Sequence, residues 1–132
     1  MLTARDMPCD LVTFPGREPG TLGLHVYQLH HEPQRFGVER IPPTSVQLLH
    51  IAAHIDAINA RILPALRAGR WVVLDRFWWS TWVYGLAAGV KKESLEAMLA
   101  VERPEWDGVV PAVVFLVHRG SPLRGGHEQF CD

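Results

Sequence analysis

The sequence has few cysteines and almost no net charge, and each shortage excludes a class of protein. Cys9 and Cys131 are the only cysteines, so the chain has neither a disulfide framework nor a paired cysteine metal site. Thirteen basic residues oppose fourteen acidic ones, which leaves no broad positive field for nucleic acid or anionic lipid. The longest run without a charged residue or a histidine, residues 77–90, is too short to span a bilayer, and the opening MLTARDMPCD lacks the apolar core of a signal peptide. We therefore expect a soluble, cytoplasmic protein that binds neither nucleic acid nor membranes.

The apolar segments alternate between strand-like and helix-like patterns. Short runs rich in β-branched residues predict buried strands at residues 9–14, 71–75 and 109–117. Apolar residues at intervals of three or four predict a long helix from Thr44 to near Gly69. We also expect short helices at residues 22–31, 80–88 and 93–102. This alternation indicates a single α/β domain with a parallel sheet, in which residues 71–75 form a central strand buried on both faces.

Charged residues follow two of the predicted strands. Arg17 lies in the loop after the first strand, and Asp75 and Arg76 end the second. In open α/β sheets ligands bind at the carboxyl ends of the strands, where loops and helix N-termini converge. The sequence therefore predicts a binding site at this edge of the sheet.

The order of these motifs is specific. The chain contains, in order, a strand, the sequence REPG, a long helix ending in ILPAL, and a strand that continues into DRF..S...Y. This order resembles the thymidylate kinase family of nucleoside monophosphate kinases, over about residues 9–118. The resemblance implies the P-loop kinase fold, a three-layer α/β sandwich with a parallel sheet. It also implies phosphoryl transfer from ATP to dTMP, giving dTDP, with magnesium arriving with ATP, and a tendency toward homodimers.

The resemblance also implies roles for individual residues. Arg76 would contact the acceptor phosphate with support from Arg17, because guanidinium groups hold phosphate through two directed hydrogen bonds. Asp75 would lie near the magnesium and phosphate-transfer zone, so Asp75 and Arg76 are the catalytic candidates. Tyr84 would pack beneath the deoxyribose and disfavour a 2′-hydroxyl, and Thr81 would face the base. The other candidate substrate-binding residues are Glu18, Pro19, Gly20 and Ser80.

Each of these residues also has a structural interpretation. Without the family pattern, an Asp-Arg pair at a strand end is more often a surface ion pair, and REPG is more often a turn. A tyrosine at position 84 is more often core filling with a satisfied hydroxyl. The three tryptophans at positions 78, 79 and 82 could line a nucleotide cleft, but packing of the helix is the favoured interpretation. Only the combined spacing of the motifs favours a functional role for these residues over a structural one.

Two histidines depart from the family pattern. His50 and His54 stand where the family commonly has a phenylalanine that stacks on thymine and an arginine that contacts its carbonyl. Imidazole can stack and donate a hydrogen bond, so base contact is one interpretation, although thymine preference is then open. The others are two partly buried histidines with ordinary partners, and a divalent metal site formed by two rings on one helix face.

The phosphate-binding loop of a kinase does not occur in the sequence. No segment matches G-x-x-x-x-G-K-[ST], and the only lysines, Lys91 and Lys92, precede a helix. We therefore predict an incomplete thymidylate-kinase-like domain over residues 1–132, with the family's first strand, ATP loop, and C-terminal lid and helix missing, and without ATP turnover on its own. The alternatives are a non-catalytic nucleotide- or protein-binding remnant, and a small α/β domain with a His50/His54 metal site.

Overall fold

A computed structural model describes residues 7–117. In it two strands and five α-helices follow one another along the chain. The strands are β1 (Cys9–Thr13) and β2 (Trp71–Asp75). The helices are α1 (Leu22–His31), α2 (Pro43–Ala57), α3 (Leu63–Arg67), α4 (Trp79–Ala87) and α5 (Lys92–Glu102), with 3-10 turns at Pro33–Phe36 and Arg103–Trp106.

The predicted long helix is confirmed, with one irregular turn. A π-helical turn, Ile58–Ile62, joins α2 directly to α3, so helical structure continues from Pro43 to Arg67. The irregularity has a local cause, because Pro64 has no amide hydrogen to donate to the preceding turn. The Leu63 amide donates to the Ile58 carbonyl five residues back, which is the hydrogen bond of a π turn. Gly69, in the left-handed region at φ 72°, ends the helical run before β2.

The two strands form a parallel pair, with Leu11 opposite Val73 and Val12 opposite Leu74. Val12 is buried beneath the helices, whereas Leu11 is 68% exposed and Val73 is also exposed. Residues 71–75 therefore form a strand as predicted, but the prediction that this strand is buried on both faces is wrong. Within residues 7–117, β2 has one hydrogen-bonded neighbour and one covered face.

The predicted third strand does not form. Residues 109–117 have no strand pairing, and Phe115 and Val117 are 86% and 93% exposed. The prediction is wrong because β-propensity reflects packing on cross-strand neighbours rather than an intrinsic backbone preference. Among the described residues no further strand lies beside β2 to supply those neighbours.

The core consists of two apolar clusters on successive turns of the long helix. The first packs Phe14 against the π turn, and the second joins α2 to α5; Trp82 packs against the second, as the packing interpretation predicts. The buried members are Phe14, Ala57, Ile58, Ile62 and Leu63 in the first cluster, and Ile51, Val90, Leu95 and Met98 in the second. Between residues 7 and 117 every helix is too short or too polar to cross a membrane.

A buried polar contact lies between the clusters. His54 Nδ1 on α2 and Glu102 Oε2 on α5 share a hydrogen bond of 2.7 Å, with side chains only 3% and 2% exposed. The Trp106 indole donates to the other carboxylate oxygen at 3.0 Å, so both oxygens of Glu102 have partners. The Phe14 ring lies over His54, with centroids 4.3 Å apart. One carboxylate thus joins α2, α5 and the turn after α5, next to the end of β1.

We expect the substitution Glu102→Ala to lower the free energy of unfolding by about 3 kcal/mol, because it leaves His54 and the Trp106 indole without their buried partner. Urea unfolding followed by tryptophan fluorescence would measure the change. Glu96→Ala is the matched control on the same helix, since Glu96 is exposed and, among residues 7–117, pairs only with Lys92, at 3.6 Å. Its expected cost is about 0.5 kcal/mol or less. Equal losses in the two variants would contradict a specific role for the buried contact.

Candidate functional site

A cleft of about 640 Å³ opens at the carboxyl ends of β1 and β2. We call it the trough. Its floor is one face of α2, and its walls are α1 and α4. The α2 residues that line it are Pro43, Val46, Gln47, His50 and His54, which follow the three- and four-residue spacing of a single helix face.

Two arginines lie at the end of the trough where the strands exit. The Arg17 guanidinium is 4.2 Å above the ring of Tyr27 on α1. The Arg76 guanidinium is 5.8 Å from the ring of Tyr84 on α4, and its Nη1 donates to the Tyr84 hydroxyl at 3.3 Å. Each cation thus lies against a tyrosine of a different wall, a contact that stabilises its position electrostatically.

The backbone of Arg76 is unusual. Its φ of 76° lies in the left-handed region, which a residue with a β-carbon adopts at a cost of about 1 kcal/mol or more. Such conformations concentrate at binding and catalytic sites, where the surrounding structure holds them in place. The turn directs the chain from β2 into α4, and both Arg76 and Tyr84 line the trough.

The REPG loop is fixed at several points. The Thr21 hydroxyl accepts a hydrogen bond from the Leu24 amide at 3.2 Å and so caps α1. Glu18 accepts from Arg61 at 2.8 Å and from the Arg17 amide at 3.1 Å. Desolvation raises the pKa of Glu18, but the hydrogen bond from its own backbone amide, the charge of Arg61 and the hydrogen bonds from Arg61 and Arg17 outweigh it, so the pKa lies below its ordinary value. A β-carbon on Gly23 would lie 2.3 Å from the Gly16 carbonyl oxygen, so only glycine permits this close approach of the loop to α1.

The structure brings most of the predicted site residues together. The trough is lined by Arg17, His50, His54, Arg76, Ser80, Thr81 and Tyr84. The other candidates, Glu18, Pro19, Gly20 and Asp75, are not among its lining residues. Glu18 pairs with Arg61 instead, and Asp75 is an exposed residue of the ladder whose carbonyl accepts from the Phe14 amide at 2.9 Å.

The two histidines of α2 have different environments. His50 Nε2 lies 3.4 Å from His30 Nδ1 on α1, whereas His54 is hydrogen-bonded to Glu102. Burial, with smaller contributions from the positive charges of His30, His54 and His31, lowers the pKa of His50 to about 4, and burial also lowers the pKa of His30. His50 is therefore uncharged at neutral pH. Within residues 7–117 no three histidine, cysteine or carboxylate side chains converge as a metal site would require.

Sequence reasoning missed the contribution of α1 and one residue of α2. Tyr27 and His30 line the trough from α1, and Gln47 lines it from α2. The position of Gln47 could have been found, because it lies three residues before His50 on the same helix face. The contact between His30 and His50 could not, since it depends on how α1 packs against α2.

The sequence model of the family described as Thymidylate kinase matches residues 33–121, about two thirds of the chain. The chain belongs to the thymidylate kinase family. The match covers α2 to α5, and with them Arg76, Thr81 and Tyr84 of the trough. It confirms the fold class as that of the P-loop nucleoside monophosphate kinases, here with a two-stranded parallel sheet in the described residues.

Similar proteins include three bacterial thymidylate kinases. The one from Chlamydia trachomatis is 36% identical over 121 residues, covering 88% of this chain and 58% of that protein. The one from Neorickettsia sennetsu is 38% identical, covering 93% and 57%, and the one from Ruegeria pomeroyi is 36% identical, covering 89% and 56%. The chain therefore spans a little over half the length of these relatives.

Proposed function

We propose that this chain provides the acceptor-nucleotide site of a thymidylate kinase, which binds dTMP while a phosphoryl group is transferred to it from ATP. The observation that carries the proposal is the placement of Arg17 and Arg76 together at the strand-exit end of the trough. Two guanidinium groups at one end of a largely apolar cleft suit a ligand with a dianionic head and a less polar body. A nucleoside monophosphate has that form.

The phosphate is bound by charge-assisted hydrogen bonds, which are about twice as strong as neutral ones. Arg17 and Arg76 lie against Tyr27 and Tyr84, so they lose less side-chain freedom when the ligand binds. This preorganisation also keeps the acceptor phosphate in line for the incoming phosphoryl group. The role of the arginines is thus to bind and orient the acceptor.

The sugar and base extend from the phosphate along α2. Tyr84 contacts Arg76 and so lies next to the phosphate, where its ring would pack beneath the deoxyribose. Thr81, one helical turn before Tyr84, is only 4% exposed and lines the trough. Its hydroxyl, Ser80 and His50 then face the base.

Magnesium and ATP belong to the proposal through the family. Asp75 is the carboxylate adjacent to Arg76 at the strand end, and its exposure fits an ion that keeps most of its water and phosphate ligands. When bound, magnesium would neutralise charge on the transferred phosphoryl group. No segment of the 132 residues has the G-x-x-x-x-G-K-[ST] pattern that holds ATP phosphates, and we therefore expect no ATP turnover by this polypeptide alone.

We expect Arg76→Ala to weaken dTMP binding by about tenfold or more, because it removes a charge-assisted contact to the phosphate. Isothermal titration calorimetry with dTMP would measure the dissociation constants. Arg67→Ala is the matched control, since Arg67 is exposed, pairs with Asp107 at 3.1 Å and does not line the trough. Unchanged dTMP affinity in Arg76→Ala, or absence of dTMP binding to the wild-type chain, would refute the proposal.

We expect the purified chain, given dTMP and magnesium ATP, to form no ADP above the background rate. A coupled pyruvate kinase and lactate dehydrogenase assay would measure ADP, with the full-length thymidylate kinase of Chlamydia trachomatis as the positive control. Sustained dTMP-dependent ADP formation, at many turnovers per chain, would show that these 132 residues bind ATP without the usual loop, and that outcome would contradict the expectation.

A further inference from the structure

Gln47 is a buried polar residue whose amide group faces the trough. Its side chain is 5% exposed, and it forms no side-chain hydrogen bond with the described residues. Among those residues, however, no buried side-chain oxygen or nitrogen is sealed from solvent without a partner. The Gln47 amide must therefore reach accessible space, and the trough is the space that this residue lines.

The stem of Gln47 is held by close packing of α2 against α4. A β-carbon on Gly85 of α4 would lie 3.4 Å from Gln47 Cγ, which is an ordinary contact distance, so the side chain of Gln47 lies close to α4 at this position. The stem of Gln47 is thus buried next to α4, and the amide extends beyond it. A polar group held in this way is preorganised to bind a ligand.

The neighbours of Gln47 do not fix the orientation of its amide. A carboxamide oxygen and nitrogen exchange places by a rotation of about 180° about the last side-chain bond, and only hydrogen-bond partners favour one orientation. His50, three residues further along α2, is bonded to His30 and is uncharged at neutral pH. The other α2 residue at a base-reading position, His54, is engaged with Glu102.

Pyrimidine bases differ at the edge that such a group would contact. Thymine presents a carbonyl acceptor beside a ring N–H donor, whereas cytosine presents an amino donor beside a ring nitrogen acceptor. A carboxamide carries one donor and one acceptor side by side, so it matches thymine in one orientation and cytosine in the other.

We propose that Gln47 forms hydrogen bonds with the base edge of the acceptor nucleotide. Because its amide oxygen and nitrogen can exchange places, the site binds thymine and cytosine nucleoside monophosphates with similar affinity. This inference rests on the proposed function, since it assumes that the trough holds a nucleoside monophosphate. It adds the base-reading residue and the substrate class, namely pyrimidine nucleotides of both hydrogen-bonding types.

The test is calorimetric titration of the wild-type chain and of Gln47→Glu with dTMP and with dCMP. We expect the two wild-type dissociation constants to agree within about tenfold, because each base makes the same number of hydrogen bonds to the amide. A carboxylate at position 47 has acceptors only, so it keeps one hydrogen bond to each base, from the thymine ring N–H or from the cytosine amino group, and repels the neighbouring acceptor of that base. Gln47→Glu should therefore weaken the binding of both nucleotides by about tenfold or more.

Two further variants separate the outcomes. Gln47→Met, of similar length and without polar atoms, should weaken both nucleotides by about tenfold, and Gln34→Glu, at an exposed position outside the trough, should change neither. Wild-type discrimination above about tenfold, or unchanged affinities in Gln47→Glu and Gln47→Met, overturns the inference while dTMP binding that depends on Arg76 keeps the proposed function. Absence of binding of either nucleotide to the wild-type chain overturns both. Thermal unfolding of each variant verifies that it is folded.

Discussion

The hydrogen bond between His54 and Glu102 is the contact on which the site depends most. It fixes α2, which forms the floor of the trough, against α5, and the stacked Phe14 ring ties the end of β1 to the same point. The chain leaves Phe14 directly into the loop that carries Arg17. The buried pair therefore fixes the position of the Arg17 loop, at the cationic end of the trough, relative to α2, which forms its floor. Removing either partner would leave a desolvated polar group, which is why this contact is structurally costly to lose.

The same contact divides the trough into two electrostatic regions. His54 stands where the family resemblance places an arginine facing the base, but here its ring is engaged with Glu102 and His50 is kept neutral by burial. Arg17 and Arg76 place positive charge at the strand exits, Glu39 and Arg40 add one charge of each sign from the connector before α2, and the α2 residues Gln47 and His50 are polar but uncharged. Under the proposed function a phosphate would bind at the strand exits, and a neutral base would lie against α2 without burying an unpaired charge.

The sequence predicts those features of the fold that local pattern determines. The spacing of apolar residues along α2 and α3 identifies the long helix, and the short runs ending at Thr13 and Asp75 identify the paired strands. Arg17, Arg76 and Tyr84 follow from motif spacing, and the structure gathers them in the trough. Residues 109–117 were predicted wrongly because a strand requires a neighbour that their own sequence cannot supply. His54 and Glu102 are 48 positions apart, and the pairing of His30 with His50 depends on helix packing, so neither contact is visible in local sequence.

The most direct test of an acceptor site in the trough is a nuclear magnetic resonance titration of the ¹⁵N-labelled chain with dTMP. The account predicts saturable shifts of the Arg17 and Arg76 side-chain Nε–H signals and of the Thr81 amide, whereas the Arg67 and Arg70 signals, at exposed ion pairs outside the trough, stay in place. Shifts confined to residues outside the trough, or none at saturating dTMP, would contradict it.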